Sequence, residues 1–261
     1  MARDPHDQRG RPGFRVPDGD AGKVFPNFAV TVDCVLVVMD NGLPHVVLTK
    51  RQLDPFADEW GLPGGFKRVD ETLDEAITRQ LYEKAGIRLK VAPRQLGAFG
   101  NPNRDPRPNV VTVVFLALTR SAPKWFPGRN VTAVDMFPLD DVANGELETA
   151  FDHRVLVEQA RQAIADRLER EPLVIDLLPP EFTLSDFCSV YESFWRVRLD
   201  QSNVRRALLR PSLPYLETTG ERVSSSDRGR PPELFRPTSN WRQGPPPIRL
   251  PRGQSSLSSW D

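Results

Sequence analysis

Apolar and polar positions along this chain change period several times, and the changes mark its elements. Residues 30–39 (VTVDCVLVVM) are an apolar, β-branched run that predicts a strand; after the turn signal Asp40-Asn41-Gly42, residues 44–50 continue as a second one. Residues 60–87 (WGLPGGFKRVDETLDEAITRQLYEKAGI) read as a strand, a tight Gly64-Gly65 turn with access to positive φ, a short loop and a helix. Thr72 and Glu75 have capping-box spacing, and Leu73, Ala76, Ile77 and Leu81 recur on one helical face. Residues 87–91 and 96–100 predict short strands, 110–118 a long apolar strand and 133–139 another, with Asp140 and Asp141 opening the next turn or helix. This order predicts an α/β/α sandwich with a mixed sheet, of roughly 130 residues.

A different pattern follows. Residues 150–171 predict a helix with Val155, Leu156, Ala160, Ile164 and Leu168 as its apolar face. After an apolar stretch at 173–178 and the Pro179-Pro180 break, Thr183 caps a helix over 184–195 that carries Phe187, Tyr191, Phe194 and Trp195. Leu199-Asp200 makes a turn, 201–210 is an Arg-bearing helix, and 215–222 with 233–236 completes a hairpin. Helix, turn, helix and hairpin in this order predict a winged helix-turn-helix domain. The organisation is therefore a disordered tail over 1–24, a ligand-sensing domain over 25–150, a linker helix over 151–172, a winged domain over 173–238 and a second disordered tail over 239–261, both tails being rich in Pro, Gly and Arg.

Composition narrows the function. Formal net charge is zero with 27% charged residues, which excludes a uniformly basic nucleic-acid binder but not a local basic patch. Such a patch lies at 196–210, where Arg196, Arg198, Arg205, Arg206 and Arg210 face Asp200 alone; Arg228 and Arg230 form a basic wing tip, and Gln201, Ser202 and Asn203 sit at the helix N-terminus where side chains reach base edges. A protein-interaction role for this second domain stays open. Cys34 and Cys188 lie in apolar patterns and read as buried free thiols of a reducing cytoplasm. No apolar run reaches transmembrane length and residues 1–10 lack the apolar core of a signal peptide, so no membrane partner is expected. His6, His45 and His153 are unpatterned and read as surface or structural rather than metal-binding.

The polar positions of 60–87 carry a resemblance. Gly65, Glu71, Arg79, Leu81, Glu83, Gly86 and Ile87 keep the register of a Nudix box, G-x5-E-x7-R-E-U-x-E-E-x-G-U with U aliphatic. In that family three helix glutamates gather Mg²⁺, which activates water against a nucleoside diphosphate. Here Gln80 and Lys84 replace two of the three, so the cluster falls from about −3 to about zero, and an ammonium stands where a cation would bind. The box is expected to hold a diphosphate rather than cleave it; catalytic and metal-binding residues are expected to be none. Arg51 ends a strand facing the expected cleft, and the tetrapeptide Arg104-Asp105-Pro106-Arg107 resembles a loop of ADP-ribose-handling Nudix proteins, with two guanidinium forks for phosphate and a carboxylate for ribose hydroxyls.

Both halves together, including LLPPEFTLSDFCSVYESFWRVRLDQSNVRRALL, resemble the Nudix-related transcriptional regulators of the NrtR family over about residues 26–238. The resemblance implies a cytoplasmic homodimeric repressor of bacterial NAD-metabolism genes, although some relatives control sugar catabolism. It would sense ADP-ribose or a related nucleotide and bind a palindromic operator. On this reading Arg51, Gly64, Gly65, Glu83, Lys84, Arg104, Asp105 and Arg107 hold the ligand, with Arg104, Arg107 and Lys84 neutralising its diphosphate; Arg198, Gln201, Ser202, Asn203, Arg205, Arg206, Arg228 and Arg230 hold DNA. No cofactor is required, and Mg²⁺ enters only with residual hydrolase activity. The alternative is a Nudix hydrolase of ADP-ribose or a similar nucleoside diphosphate.

Overall fold

A computed structural model of the chain describes residues 27–222, 231–242 and 248–249. Its first half is a seven-stranded mixed sheet built on β1 (Ala29–Asp40). β2 (Leu43–Arg51) returns antiparallel through the Asn41-Gly42 turn, both of whose residues take positive φ, as a tight hairpin requires. β3 (Trp60–Gly61) extends the sheet beyond β2, and β4 (Gly64–Phe66) pairs antiparallel with β1. On the other side β6 (Val110–Thr119) lies parallel to β1, with β5 (Arg94–Phe99) outside it, while β7 (Val131–Pro138) pairs with β2.

Strand periodicity distributes β1 between two cores. Val32, Cys34, Leu36 and Val38 pack with Ala76, Ile77 and Leu81 of α1 (Leu73–Ala85), which the Thr72–Glu75 capping box starts. Val35, Val37 and Met39 face the opposite layer, made by α2 (Leu139–Asn144) and α3 (His153–Arg170). That second core continues without a break into α4 (Val174–Leu177), α5 (Leu184–Trp195), α6 (Gln201–Leu208) and the hairpin β8 (Leu216–Arg222)–β9 (Glu233–Pro237). The winged helix is thus packed onto the α/β domain. Among the described residues no helix is long and apolar enough to cross a membrane.

Four expectations need correction. Residues 87–91 form no strand: Gly86 caps α1 in the left-handed region, Ile87 donates its N–H to the Leu81 carbonyl, and Val91 is exposed. Gly64 and Gly65 are strand residues of β4 rather than a tight turn, although Gly65 does take a positive φ, 159°. They are needed for packing, because a Cβ on Gly64 would overlap Asp33 and the Val32 carbonyl, and one on Gly65 would lie 2.6 Å from the Gln80 amide nitrogen. Val155 is exposed, since the inward stripe of α3 runs through Leu156, Val157, Ala160, Ile164 and Leu168. Finally, the segment after residue 238 is not all tail: Ser239–Arg242 is a 3-10 turn and Trp241 is buried. The expected tail over 1–24 lies outside the described residues.

Candidate functional site

A cavity of about 240 Å³ opens where β1, β4, the end of β2, the 104–107 loop and the start of α3 meet. Arg51, Gly64, Gly65, Lys84, Arg104, Asp105 and Arg107 all line it, as the sequence reading expects. Thr31, Asp33, Phe66, Asn130, Phe151 and His153 line it too, and that reading missed them.

Its cations are held in different ways. Arg104, nearly inaccessible, makes a two-pronged ion pair with Asp152 at 2.8 and 3.1 Å. Arg107 does the same with Asp105 at 2.7 and 2.9 Å, and its guanidinium lies over Phe66 at 4.9 Å. Burial works against the Asp105 charge, but Arg107 outweighs it and holds the carboxyl below the usual range. Arg51 and Lys84 are bound by carbonyls instead. Arg51 donates to Pro55 O (2.9 Å) and Leu53 O (3.2 Å) and sits over the Phe151 ring, while Lys84 donates to Arg129 O (3.2 Å). Burial, then repulsion from Arg107, lowers the Arg51 pKa; burial, then Arg51, lowers that of Lys84. Both would gain from an anion. Arg104 and Arg107, by contrast, already carry their own carboxylates.

At the floor, Asp33 of β1 accepts from Thr112 Oγ1 at 2.5 Å. Burial pushes its carboxyl up, opposed by Thr112 and then Arg104. His153 Nδ1 accepts the Leu62 backbone N–H at 2.9 Å, and burial holds the ring down to about 3, which keeps it neutral. The signal for Asp33 was present as a lone carboxylate within an apolar strand. For His153 it was only the start of a helix.

The Nudix-like box does not assemble a metal site. Arg79 binds Glu71 at 2.5 and 2.8 Å and Glu83 at 3.1 Å, and Arg68 binds Glu83 at 3.0 Å. Glu71 is held down to about 2 by the Arg79 hydrogen bond. Glu83 is therefore occupied by guanidinium groups and does not line the cavity, contrary to expectation. Gln80 is buried, with its amide donating to Phe66 O at 3.3 Å, and Lys84 presents an ammonium. Among the described residues no three His, Cys, Asp or Glu side chains gather to hold a cation. A divalent metal does not fit this donor set.

On the winged domain, Asp200 caps α6 by accepting from Ser202 N and Asn203 N at 2.8 and 3.0 Å. Val204 and Leu208 face inward, leaving Gln201, Ser202, Asn203, Arg205 and Arg206 exposed. Arg205 pairs with Glu233 of the wing at 3.1 Å and lies over Phe235, Arg206 donates to Asn203 at 3.3 Å, and Arg198 pairs with Glu192 at 3.0 Å. Arg196 turns away from this surface and binds Asp140 and Asn144 of α2. Arg228 and Arg230 lie outside the described residues.

Comparison with known proteins agrees with both halves. The NUDIX domain family matches residues 27–160, and the NrtR DNA-binding winged helix domain matches residues 174–236. An ADPR responsive transcriptional repressor, NtrR, of Acinetobacter baylyi is 29% identical over 214 residues, or 81% of this chain and 83% of that protein. The crystal structure of Shewanella oneidensis NrtR complexed with a 27mer DNA superposes with a TM-score of 0.62 at 31% identity, covering 82% of this chain and 95% of the other. The NUDIX domain of the same protein complexed with ADP ribose gives 0.50 at 37% identity, covering 54% and 90%.

Proposed function

The chain belongs to the NrtR family of Nudix-related regulators, and from that premise we propose that it is a ligand-responsive transcriptional repressor: its cavity binds ADP-ribose without a metal, and its winged domain binds operator DNA. Two copies would read a palindromic operator of NAD-metabolism genes in the cytoplasm. The relatives' ADP-ribose response and their complexes with DNA and ADP-ribose support this reading. Absence of hydrolysis is part of the proposal, supported by the donor set at Gln80, Glu83 and Lys84.

The observation that carries it is the double engagement of α3. Phe151 and His153 at its start wall the cavity, and Asp152 there holds Arg104. Further along, Arg161 donates to the Phe194 carbonyl at 2.5 Å and the Trp195 indole donates to the Ala165 carbonyl at 3.0 Å, joining α3 to α5. A ligand that re-aims the α3 start therefore acts on the helix that carries the winged domain. Differential affinity of about 1–3 kcal/mol between two arrangements is enough to change DNA occupancy roughly five- to 150-fold.

Fluorescence anisotropy of the purified protein on promoter fragments from NAD-biosynthesis genes, with competitor DNA and an ADP-ribose titration, tests this. Tight binding released by ADP-ribose in EDTA is the expected result; strict dependence on Mg²⁺, or AMP release at ordinary turnover, would favour the hydrolase instead. Asp152→Asn, which weakens the hold on Arg104, is expected to retain DNA binding while reducing the ADP-ribose response several-fold. An unchanged response would remove Asp152 from the coupling.

A further inference from the structure

The cationic side of the cavity suits a diphosphate, but its floor has the wrong chemistry for one. Asp33 and His153 are both nearly inaccessible and both face the cavity. One Asp33 oxygen is taken by Thr112. The other faces His153 Nε2 at 4.0 Å. That distance is too long for a hydrogen bond. The Leu62 N–H occupies Nδ1, so the neutral ring carries its proton on Nε2, on the Asp33 side. A donor and an acceptor thus face each other across a gap that one oxygen can bridge, at about 2.8 Å from each. A phosphate oxygen can only accept, and would meet the carboxylate as a like charge. A hydroxyl can do both jobs, accepting from Nε2–H and donating to the free Asp33 oxygen.

We propose that Asp33 and His153 are specificity-determining residues that read one sugar hydroxyl of the bound nucleotide, so that the site takes a ribose with that hydroxyl free and rejects its deoxy and phosphorylated counterparts. The inference rests on the nucleotide-binding reading above and adds to it what the floor selects. It also explains why a site that binds an anion keeps a carboxylate at its base: Asp33 would repel a phosphate group placed there, and so fixes which end of the ligand enters first. Thr112 and the Leu62 amide act as positioning groups, holding the carboxylate and the ring so that their free atoms converge.

ADP-ribose has two riboses, and either could supply the hydroxyl. Isothermal titration of the full chain with ADP-ribose, ADP, ribose 5-phosphate and the monodeoxy analogues of ADP-ribose separates them. One monodeoxy analogue is expected to bind wild type about 10- to 100-fold more weakly than ADP-ribose, the loss typical of a hydrogen bond to a charged group. ADP or ribose 5-phosphate then identifies the ribose by which fragment is sensitive to Asp33→Asn. In Asp33→Asn, and in His153→Gln, where the new amide oxygen can still accept from Leu62, that same analogue should show no further loss while ADP-ribose falls to its level. A merely structural role would weaken all ligands alike, and that result overturns the proposal. So does equal binding of all monodeoxy analogues to wild type, a result that needs no variant to fold. If ADP-ribose and both fragments fail to bind wild type, the nucleotide-sensing reading falls, and this inference with it.

Discussion

Gln80→Glu combined with Lys84→Glu is expected to turn the chain into a divalent-cation-dependent hydrolase, releasing AMP from ADP-ribose on the order of 10²-fold faster than the wild type, or more. The pair of changes shifts local charge by about −3 and restores carboxylates at two positions one helical turn apart. A hundredfold gain corresponds to about 2.7 kcal/mol of barrier, a modest share of the several kcal/mol that a bound cation contributes to phosphoryl chemistry. Without a cation the variant should suffer. The carboxylate introduced at position 80 would be buried beside the Phe66 carbonyl, which now accepts from the Gln80 amide at 3.3 Å. The one introduced at position 84 would pair with Arg51, which now repels Lys84, and so withdraw two cations from any bound diphosphate. Mg²⁺ should therefore raise the Tm of the double variant and restore its affinity for ADP-ribose, and do neither to the wild type. AMP release that stays at wild-type level, with no thermal response to Mg²⁺, would show that the ion pairs of Arg79 with Glu71 and Glu83 leave no usable carboxylate on this face.

Periodicity made the scaffold legible because burial on both faces of β1 and β6 produces long β-branched runs, and because Thr72, Thr183 and the Asn41-Gly42 turn are local signals that need no tertiary context. The segment 87–91 misled for the same reason. Its alternation is that of a strand, but Gly86 and Ile87 are committed to ending α1, which local pattern alone cannot show. The cavity was half legible. Residues belonging to a motif or a charged loop were found, namely Gly64, Gly65, Lys84, Arg104, Asp105, Arg107 and the strand-end Arg51. Asp33, Phe151 and His153 were not, because each comes to the site through long-range packing: Asp33 by the pairing of β1 with β4 and β6, the others by the way α3 docks across the sheet. Nor could sequence show how the charges pair. Arg104 and Arg107 are conspicuous as anion binders until the structure gives each its own carboxylate.

Trp241→Ala should destabilise the protein by about 3–5 kcal/mol, the range for emptying a buried aromatic site. Composition placed this residue in a Pro- and Gly-rich tail, where the same change would cost less than about 0.5 kcal/mol. Instead its ring makes edge contacts with Phe187 of α5 at 5.7 Å and with Tyr215 at 5.6 Å, and its indole N–H donates to the Pro172 carbonyl at 3.2 Å. Neighbouring residues fasten it: Thr238 Oγ1 and Asn240 Nδ2 both donate to the Pro214 carbonyl, at 2.7 and 2.9 Å. Trp241 thus closes the core between α5 and the loop that follows α6. Because that core runs on into the sheet, the loss should appear as a single unfolding transition moved down by roughly 6–20 °C, at the 2–4 °C per kcal/mol usual for chains of this size. Trp241→Phe keeps most of the ring contact and gives up the hydrogen bond, so it should cost less, about 1–2 kcal/mol. Two separate transitions, with the one reporting ADP-ribose binding unmoved, would instead mean that the α/β domain is stable without its winged partner. In that case α3 could not carry a signal between them by rigid packing, and the coupling would have to pass through polar contacts such as those of Arg161, Trp195 and Arg196.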